Sequence, residues 1–488
     1  MEESSPLLQP DLHGEEDPSA RDDPKSNSRT FFVVLMCTIC VLTIDIGIFL
    51  QLAPLTRILE SIVCRSYYQK LGQFLIEIPE SKCKISAIQG RLAMLKGWSA
   101  LFECLPSVLL AVPYGLLADK RGRKPVLYLA ILGIMMHNIW LLVVCWFPKV
   151  FAVELIWLAP AFNVVGGGPG VANSVILTSV ADVVTEDQRL VYTPPGYYFS
   201  LAHSVLMETN PWLPMFLGLG AMVFSGLTVI ILPESLNKIP NRQIATSSLN
   251  SAIIDRDNCE DRSLKTYSLA AIAQKGRWLV DEYRCVFVSP IVAMLICTSL
   301  MNSLSKHSVD LLLQYASRRY HWTIAQTGLL FPLRAAVQLT VFLLILPSLS
   351  YYLTHYMSVN SKLKDLYISR GSVLLLVVGS IGIGLSPKPV PMAISLVISA
   401  LGSGFTTCVR SLATSLLEPR QVGRLYAAMT TMEMIGGIIA GPVFSALYSY
   451  GLKLDGLWVG IPFLASGAIY MAIALPLFLL SLSSNEII

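Results

Sequence analysis

A chain of 488 residues that is 54% hydrophobic and only 14% charged has too much apolar surface for a soluble globular protein of ordinary composition. Its formal charge of +4 is small and lies mostly between apolar runs, which argues against nucleic acid as a partner and for a lipid bilayer as the surroundings. Six His and ten scattered Cys show no metal-ligand spacing, and no phosphate loop or nucleophile–base pair occurs in a supporting context. Neither a metal, nor a cofactor, nor an enzymatic activity is expected.

Residues 1–29 are polar, acidic and rich in Ser, Pro and Asp, as expected of a disordered cytoplasmic tail. Within it Glu3-Ser4-Ser5-Pro6-Leu7-Leu8 resembles an acidic dileucine sorting signal, which sets a vacuolar or endosomal membrane beside the plasma membrane as a destination. A first span is expected from Phe31 to Pro54. It carries Asp45 near its middle, and an ionisable group at that depth is a functional candidate for proton coupling, with a structural hydrogen bond to a neighbouring helix as the alternative. The stretch from Leu55 to Lys96 reads as a long loop outside the cytoplasm. There Cys64 and Cys83 would oxidise to a disulfide closing the loop.

A second span, Trp98 to Leu117, holds Glu103 a turn or so below its external end, either facing a vestibule or binding a proton. A third runs from Pro125 to Phe147. Between them lies Gly115-Leu116-Leu117-Ala118-Asp119-Lys120-Arg121-Gly122-Arg123-Lys124-Pro125. Four cations in so short a connection place it in the cytoplasm by the positive-inside rule, and the direction of every other span follows. Gly115 would let a neighbouring helix approach closely, and Asp119 could hold a facing helix end in one conformation and release it in another.

This run, with its Gly, Asp and Gly-Arg-Lys between the second and third spans, resembles the signature loop of the major facilitator superfamily. The resemblance implies an all-α membrane protein with the major facilitator fold, twelve spans in two six-helix bundles, a small-molecule solute as partner, protons as the coupling ion, and a monomer. Gly115, Asp119, Gly122, Arg123 and Lys124 would form its conformational motif. A cysteine-bearing first external loop is also similar, more weakly, to the proton-coupled folate transporter branch.

The fourth span, Val153 to Val184, contains Asn163-Val164-Val165-Gly166-Gly167-Gly168-Pro169-Gly170 and then Asn173. Glycine at this density permits close helix packing and a local break that exposes backbone to a solute, with Asn163 and Asn173 as candidate cavity residues. The charged loop Ala181 to Arg189 resembles that of fungal members of the superfamily. Leu190 to Met207, where a fifth span belongs, is broken by Thr193-Pro194-Pro195-Gly196 and reads as atypical or truncated, and the glycine–proline motif of antiporter branches is absent from it. The sixth span, Trp212 to Leu232, ends in Pro233-Glu234-Ser235, which resembles the ending of that helix in sugar porters. Eight Lys and Arg between Pro233 and Arg284 make that connector cytoplasmic.

The domains expected are therefore the tail 1–29, a helical bundle over 30–232, a central loop over 233–284 and a second bundle over 285–488. In the second bundle the first span reaches Lys306-His307-Ser308-Val309-Asp310, with His307 near the external end. The next carries Arg334 and Gln338 as substrate-cavity candidates, where Arg334 would face an anion, balance Asp45 or tie two helices together. A basic loop follows from Lys362 to Arg370. The tenth span, Val390 to Leu416, carries Arg410, and the eleventh carries Glu433, a further proton-coupling candidate, ahead of Gly436-Gly437-Ile438-Ile439-Ala440-Gly441-Pro442. The function these features imply is secondary active transport of a small organic solute by alternating access, with the fungal resemblance favouring efflux of a drug-like compound or secondary metabolite. Proton-coupled uptake, or a non-transporting sensor on the same scaffold, is the alternative.

Overall fold

The computed structural model describes residues 24–73, 78–181, 210–232, 290–417 and 422–480, and every regular element among them is helical. Ten of these helical stretches are long and apolar enough to cross a bilayer. The chain is thus an all-α, multi-pass membrane protein.

Helix α1 (Pro24–Lys70) is a single run of 47 residues. At 1.5 Å per residue it spans roughly 70 Å, about twice the apolar thickness of a bilayer, so it projects well beyond the lipid. Residues 24–29, expected in the tail, already belong to this helix, which begins at Pro24, a residue type suited to a first helical position; residues 1–23 lie outside the described residues. The expected loop from Leu55 to Lys96 shrinks in the same way. The helix continues through Pro54, and helix α2 (Ser86–Arg121) has already begun at Ser86. Arg57 and Glu60 look like a span ending in the sequence, but one helical turn separates them and they pair at 3.1 Å. Glu60 is fully buried and also takes Lys84 Nζ at 2.7 Å and Gln89 Nε2 at 2.6 Å, while Glu80 binds Arg57 and Lys84 at 3.2 and 2.8 Å. The Cys64–Cys83 disulfide fastens the short 3-10 turn Glu80–Lys84 against α1 beside this cluster.

Gly122 joins α2 to α3 (Arg123–Trp146) with φ +102°, a conformation that side chains other than hydrogen rarely adopt. Lys124 Nζ donates to Ile230 O at 2.7 Å, and Trp146 meets Trp212 edge-on at 4.7 Å. Helix α5 (Trp212–Ile231) therefore runs antiparallel to α3, and the chain leaves it on the basic-hairpin side. Between them the chain forms a 3-10 helix (Val153–Val164), breaks, and continues as α4 (Gly168–Ala181). Val175 and Ile176 of α4 pack with Ala118 and Val126 at the hairpin end, whereas Trp212 starts α5 at the disulfide end. The expected fifth span lies outside the described residues, between two chain ends on opposite faces.

In the second half, α6 (Pro290–Lys306) runs through the 3-10 turn His307–Leu311 into α7 (Leu312–Tyr320), ending ten residues beyond the Asp310 that the expected span reached. His307 accordingly sits in the middle of the crossing rather than near its end. Helices α8 (Ile324–Gly328), α9 (Leu330–Thr340) and α10 (Leu346–His355) form the next crossing, with a π-helical turn at Val341–Ile345. The expected basic loop from Lys362 to Arg370 is instead the start of α11 (Ser361–Leu385); Arg370 remains anchored, donating to Leu477 O and Leu480 O at 2.9 and 2.7 Å. Helices α12 (Pro389–Leu401) and α13 (Phe405–Ser415), then α14 (Val422–Leu454) and α15 (Ile461–Leu479), complete the half.

Four large apolar clusters hold these helices. At the hairpin end, one is built only from the first half (Val126, Ile131, Val175, Met222) and another only from the second (Val292, Leu366, Met429, Ile473). At the disulfide end the second-half cluster around Tyr315, Phe444 and Tyr448 also takes in Ala93, and a smaller one joins Ala53 to Leu313 and Ile324. Apolar packing therefore closes the two halves on each other at the disulfide end. At the hairpin end no described residue outside its own helix comes within 4 Å of where a Gly115 Cβ would stand, so the close approach expected at Gly115 is not seen among the described residues.

Candidate solute cavity between the two halves

At the closed end the halves meet through Gly97 and Gly441. A Cβ on Gly97 of α2 would collide with Gly441 O and Ser445 of α14, and Gly436 meets Leu300 O and Ser303 of α6 as tightly. The Gly436–Pro442 stretch thus lets α14 lie against both α2 and α6, and the helix backbones touch across the halves. Glu80 Oε1 adds a polar latch by accepting from Ile324 N at 2.9 Å.

Below this seal lies a cavity of about 550 Å³ shared by both halves. Its walls are mostly apolar, and their polar groups include Gln51, Lys96, Glu103, His137, Asn138, Asn163 and, from the second half, His307 with Asp310, besides several Ser and Thr hydroxyls. A concave apolar chamber with few convergent polar groups is the form ligand sites take. Lys96 Nζ donates to Thr56 Oγ1 at 2.9 Å, tying α2 to α1. His307 Nδ1 and Asp310 Oδ2 pair at 2.9 Å, and Asn163 Nδ2 meets His137 Nδ1 at 3.4 Å. Buried Gln51 Nε2 and Asn163 Oδ1 have no partner among the described residues, leaving a donor and an acceptor for a solute.

The glycine run packs closely and breaks the helix. Gly166, Gly167 and Gly168 all have positive φ, and Gly133 of α3 packs on Val165 O so closely that any side chain would intrude. Tyr114 repairs the break, its hydroxyl donating to Val164 O at 2.9 Å and accepting from Gly166 N at 2.8 Å. Tyr114→Phe removes both bonds and is expected to cost about 1–3 kcal/mol of stability, read from the shift of the unfolding midpoint.

Among the residues expected in the site, Glu103 and Asn163 line the cavity, Glu103 from mid-helix in α2 because that helix begins at Ser86. Asn173 is exposed and points elsewhere, since α4 presents Gly170 to the chamber. Asp45 is half-buried one turn from the lining residue Ile48 and makes no ion pair among the described residues. Arg334 and Gln338, one turn apart on α9, also lie off the chamber. Arg334 stands with Lys306 and not with Asp45. Glu433 pairs with Arg410 across α14 and α13 at 2.7 Å, next to the lining residue Met434. The side chain of Asp119 lies outside the described residues. Lys96, His137 and Asp310 were not expected. The signal for Lys96, an ionisable residue within a crossing, was hidden by reading its neighbourhood as loop.

The model of the Major Facilitator Superfamily matches residues 93–441. The chain is 34% identical to the MFS efflux pump atnC of Emericella nidulans, covering 99% of this chain and 94% of that protein. It is 30% identical to the MFS-type transporter aprT of Aspergillus flavus, over 98% of this chain and 94% of that one. Among solved structures, a D-xylose–proton symporter superposes with a TM-score of 0.59 at 13% identity, covering 93% of this chain and 99% of the symporter. A cavity shared between two helical halves, the glycine hinge of the basic hairpin, and sequence similarity along nearly the whole chain agree: this protein belongs to the major facilitator superfamily.

Proposed function

We propose that the chain is a secondary active transporter that exports a small organic solute by alternating access. The observation that carries this is the chamber itself, bounded by polar groups from both halves and sealed at the disulfide end. By the positive-inside rule the hairpin end is cytoplasmic, so the conformation is one that loads solute from the cell interior. The similarity to proteins named as efflux pumps supports outward flux. The membrane is the plasma membrane in this reading, and a single copy encloses the chamber.

Protons are the coupling ion we assign, with Glu103 and the His307–Asp310 pair as carriers. These three come from different halves, so a proton among them links the halves' relative position to charge. The test is solute export from vesicles under an imposed pH gradient. Glu103→Gln is expected to lower gradient-driven export at least tenfold while leaving solute exchange without a gradient intact, and Asp45→Asn is expected to change it less. Gradient-driven export that survives Glu103→Gln unaltered removes Glu103 from the coupling role.

A further inference from the structure

Beside the chamber, on its hairpin side, three cations gather round one carboxylate. The Nζ of Lys306 on α6 donates to Thr406 Oγ1 at 3.0 Å, a hydroxyl that also takes Asn302 Nδ2 at 3.0 Å. The charges of Glu433, Arg410 and Arg334 all act on Lys306. Glu433 is the one acidic group among them, and it is held by Arg410 through a single contact, Nη2 to Oε2 at 2.7 Å. A two-pronged guanidinium–carboxylate fork would use both groups fully. Here Arg410 Nε and Glu433 Oε1 are buried with no partner among the described residues. Arg334 makes no ion pair among the described residues either.

Among these four groups within a membrane-spanning bundle the balance of formal charge is two cations in excess; of the carboxylates in the adjoining chamber, Asp310 is paired with His307 and Glu103 lies on α2 of the other half. Uncompensated charge at that depth is costly and marks solute pathways. Resting on the export reading above, we propose that the transported solute bears an anionic group, a carboxylate or its isostere, which docks among Lys306, Arg334 and Arg410 as its apolar body enters the chamber. Lys306 is the last residue of α6 and is followed by fourteen more helical residues before the crossing ends at Tyr320. Lys306 therefore lies near the middle of its crossing, while Arg410 stands five residues from the end of its own at Ser415, so a lipid headgroup is the competing source of the anion and the experiment separates the two.

The experiment uses the purified full chain in nanodiscs and three probes of one shape: 1-naphthoate, 1-naphthamide and 1-naphthylmethylammonium. Naphthoate is expected to raise the unfolding temperature in a dose-dependent way, the amide and the ammonium to do so at least tenfold more weakly, and added phosphatidylserine to leave the naphthoate response unchanged. Lys306→Gln, at an exposed position that tolerates substitution, and Arg334→Gln are each expected to weaken the naphthoate response about tenfold. Lys306→Arg is expected to keep it. Equal responses to naphthoate and naphthamide, no response to naphthoate, unaltered affinity in both Gln variants, or displacement of naphthoate by phosphatidylserine would each overturn the proposal. Export of an uncharged solute in the vesicle assay would leave the transport reading standing and remove this one.

Discussion

Gly97→Leu is expected to drive the protein out of the conformation described above. The new side chain would point at Gly441 O and Ser445 of the opposite half, where a bare Cβ already stands 2.6 Å from that oxygen. Both obstacles are on a helix fixed on its other side by Gly436 against Leu300, so they have little room to yield. Overpacking of this kind costs about 1–3 kcal/mol, which shifts a two-state population roughly 5- to 150-fold. The wedge acts only where the halves meet, so the penalty falls on the state closed at the disulfide end and leaves each half's own packing intact. A cysteine at Ala111, an exposed position one turn beyond Ser107 on the cavity face of α2, reports the state. In the Gly97→Leu background its labelling from the hairpin side is expected to slow at least fivefold, and export is expected to fall by a similar factor. Unchanged labelling would show that Gly97 and Gly441 do not form the seal.

The second large effect is expected at the other component of the seal. Replacing Cys64 and Cys83 together with serine removes a cross-link over a sequence separation of 19 residues, a constraint worth about 3 kcal/mol in the unfolded chain. The consequence reaches further than the loop. The turn fastened by Cys83 carries Glu80, which binds Arg57 and Lys84 within its own half and Ile324 N in the other. Without the disulfide that turn loses its fixed position, so the unfolding temperature is expected to drop by several degrees and the disulfide end to open more often. Thermal unfolding with and without reductant measures the first. Identical unfolding of the double serine variant and the parent would assign the disulfide no structural role.

The basic hairpin and the glycine run were legible in the sequence because each requires a residue type with no substitute. Gly122 turns the chain at φ +102°, and Gly166 to Gly168 hold three consecutive positive φ values that side chains resist. The ends of the spans were harder to read, since hydropathy treats Arg57, Glu60, Lys84 and Lys96 as loop residues. Their charges are matched in pairs or capped by Thr56, so α1 continues through Arg57 and Glu60 and α2 through Lys96, while Lys84 closes the 3-10 turn between them. The same misreading moved Glu103 and His307 toward the membrane surface, although both lie mid-crossing. Pairing across helices is further out of reach. Nothing in the spacing of Arg410 and Glu433, or of Lys306 and Arg334, announces that packing of α6, α9, α13 and α14 gathers all four. Residues 182–209, where the broken fifth span was expected, lie outside the described part of the chain.

In the proposed cycle the two halves close at the disulfide end in one state and part there for solute to leave. Gly90 and Ser449 face each other across that seam: a Cβ on Gly90 would stand 3.8 Å from Ser449 Cβ, within the range a disulfide needs. The Gly90→Cys, Ser449→Cys double variant is expected to cross-link under mild oxidant, to lose export when cross-linked, and to recover it on reduction, while each single variant stays active throughout. Full export by the cross-linked protein would contradict the account.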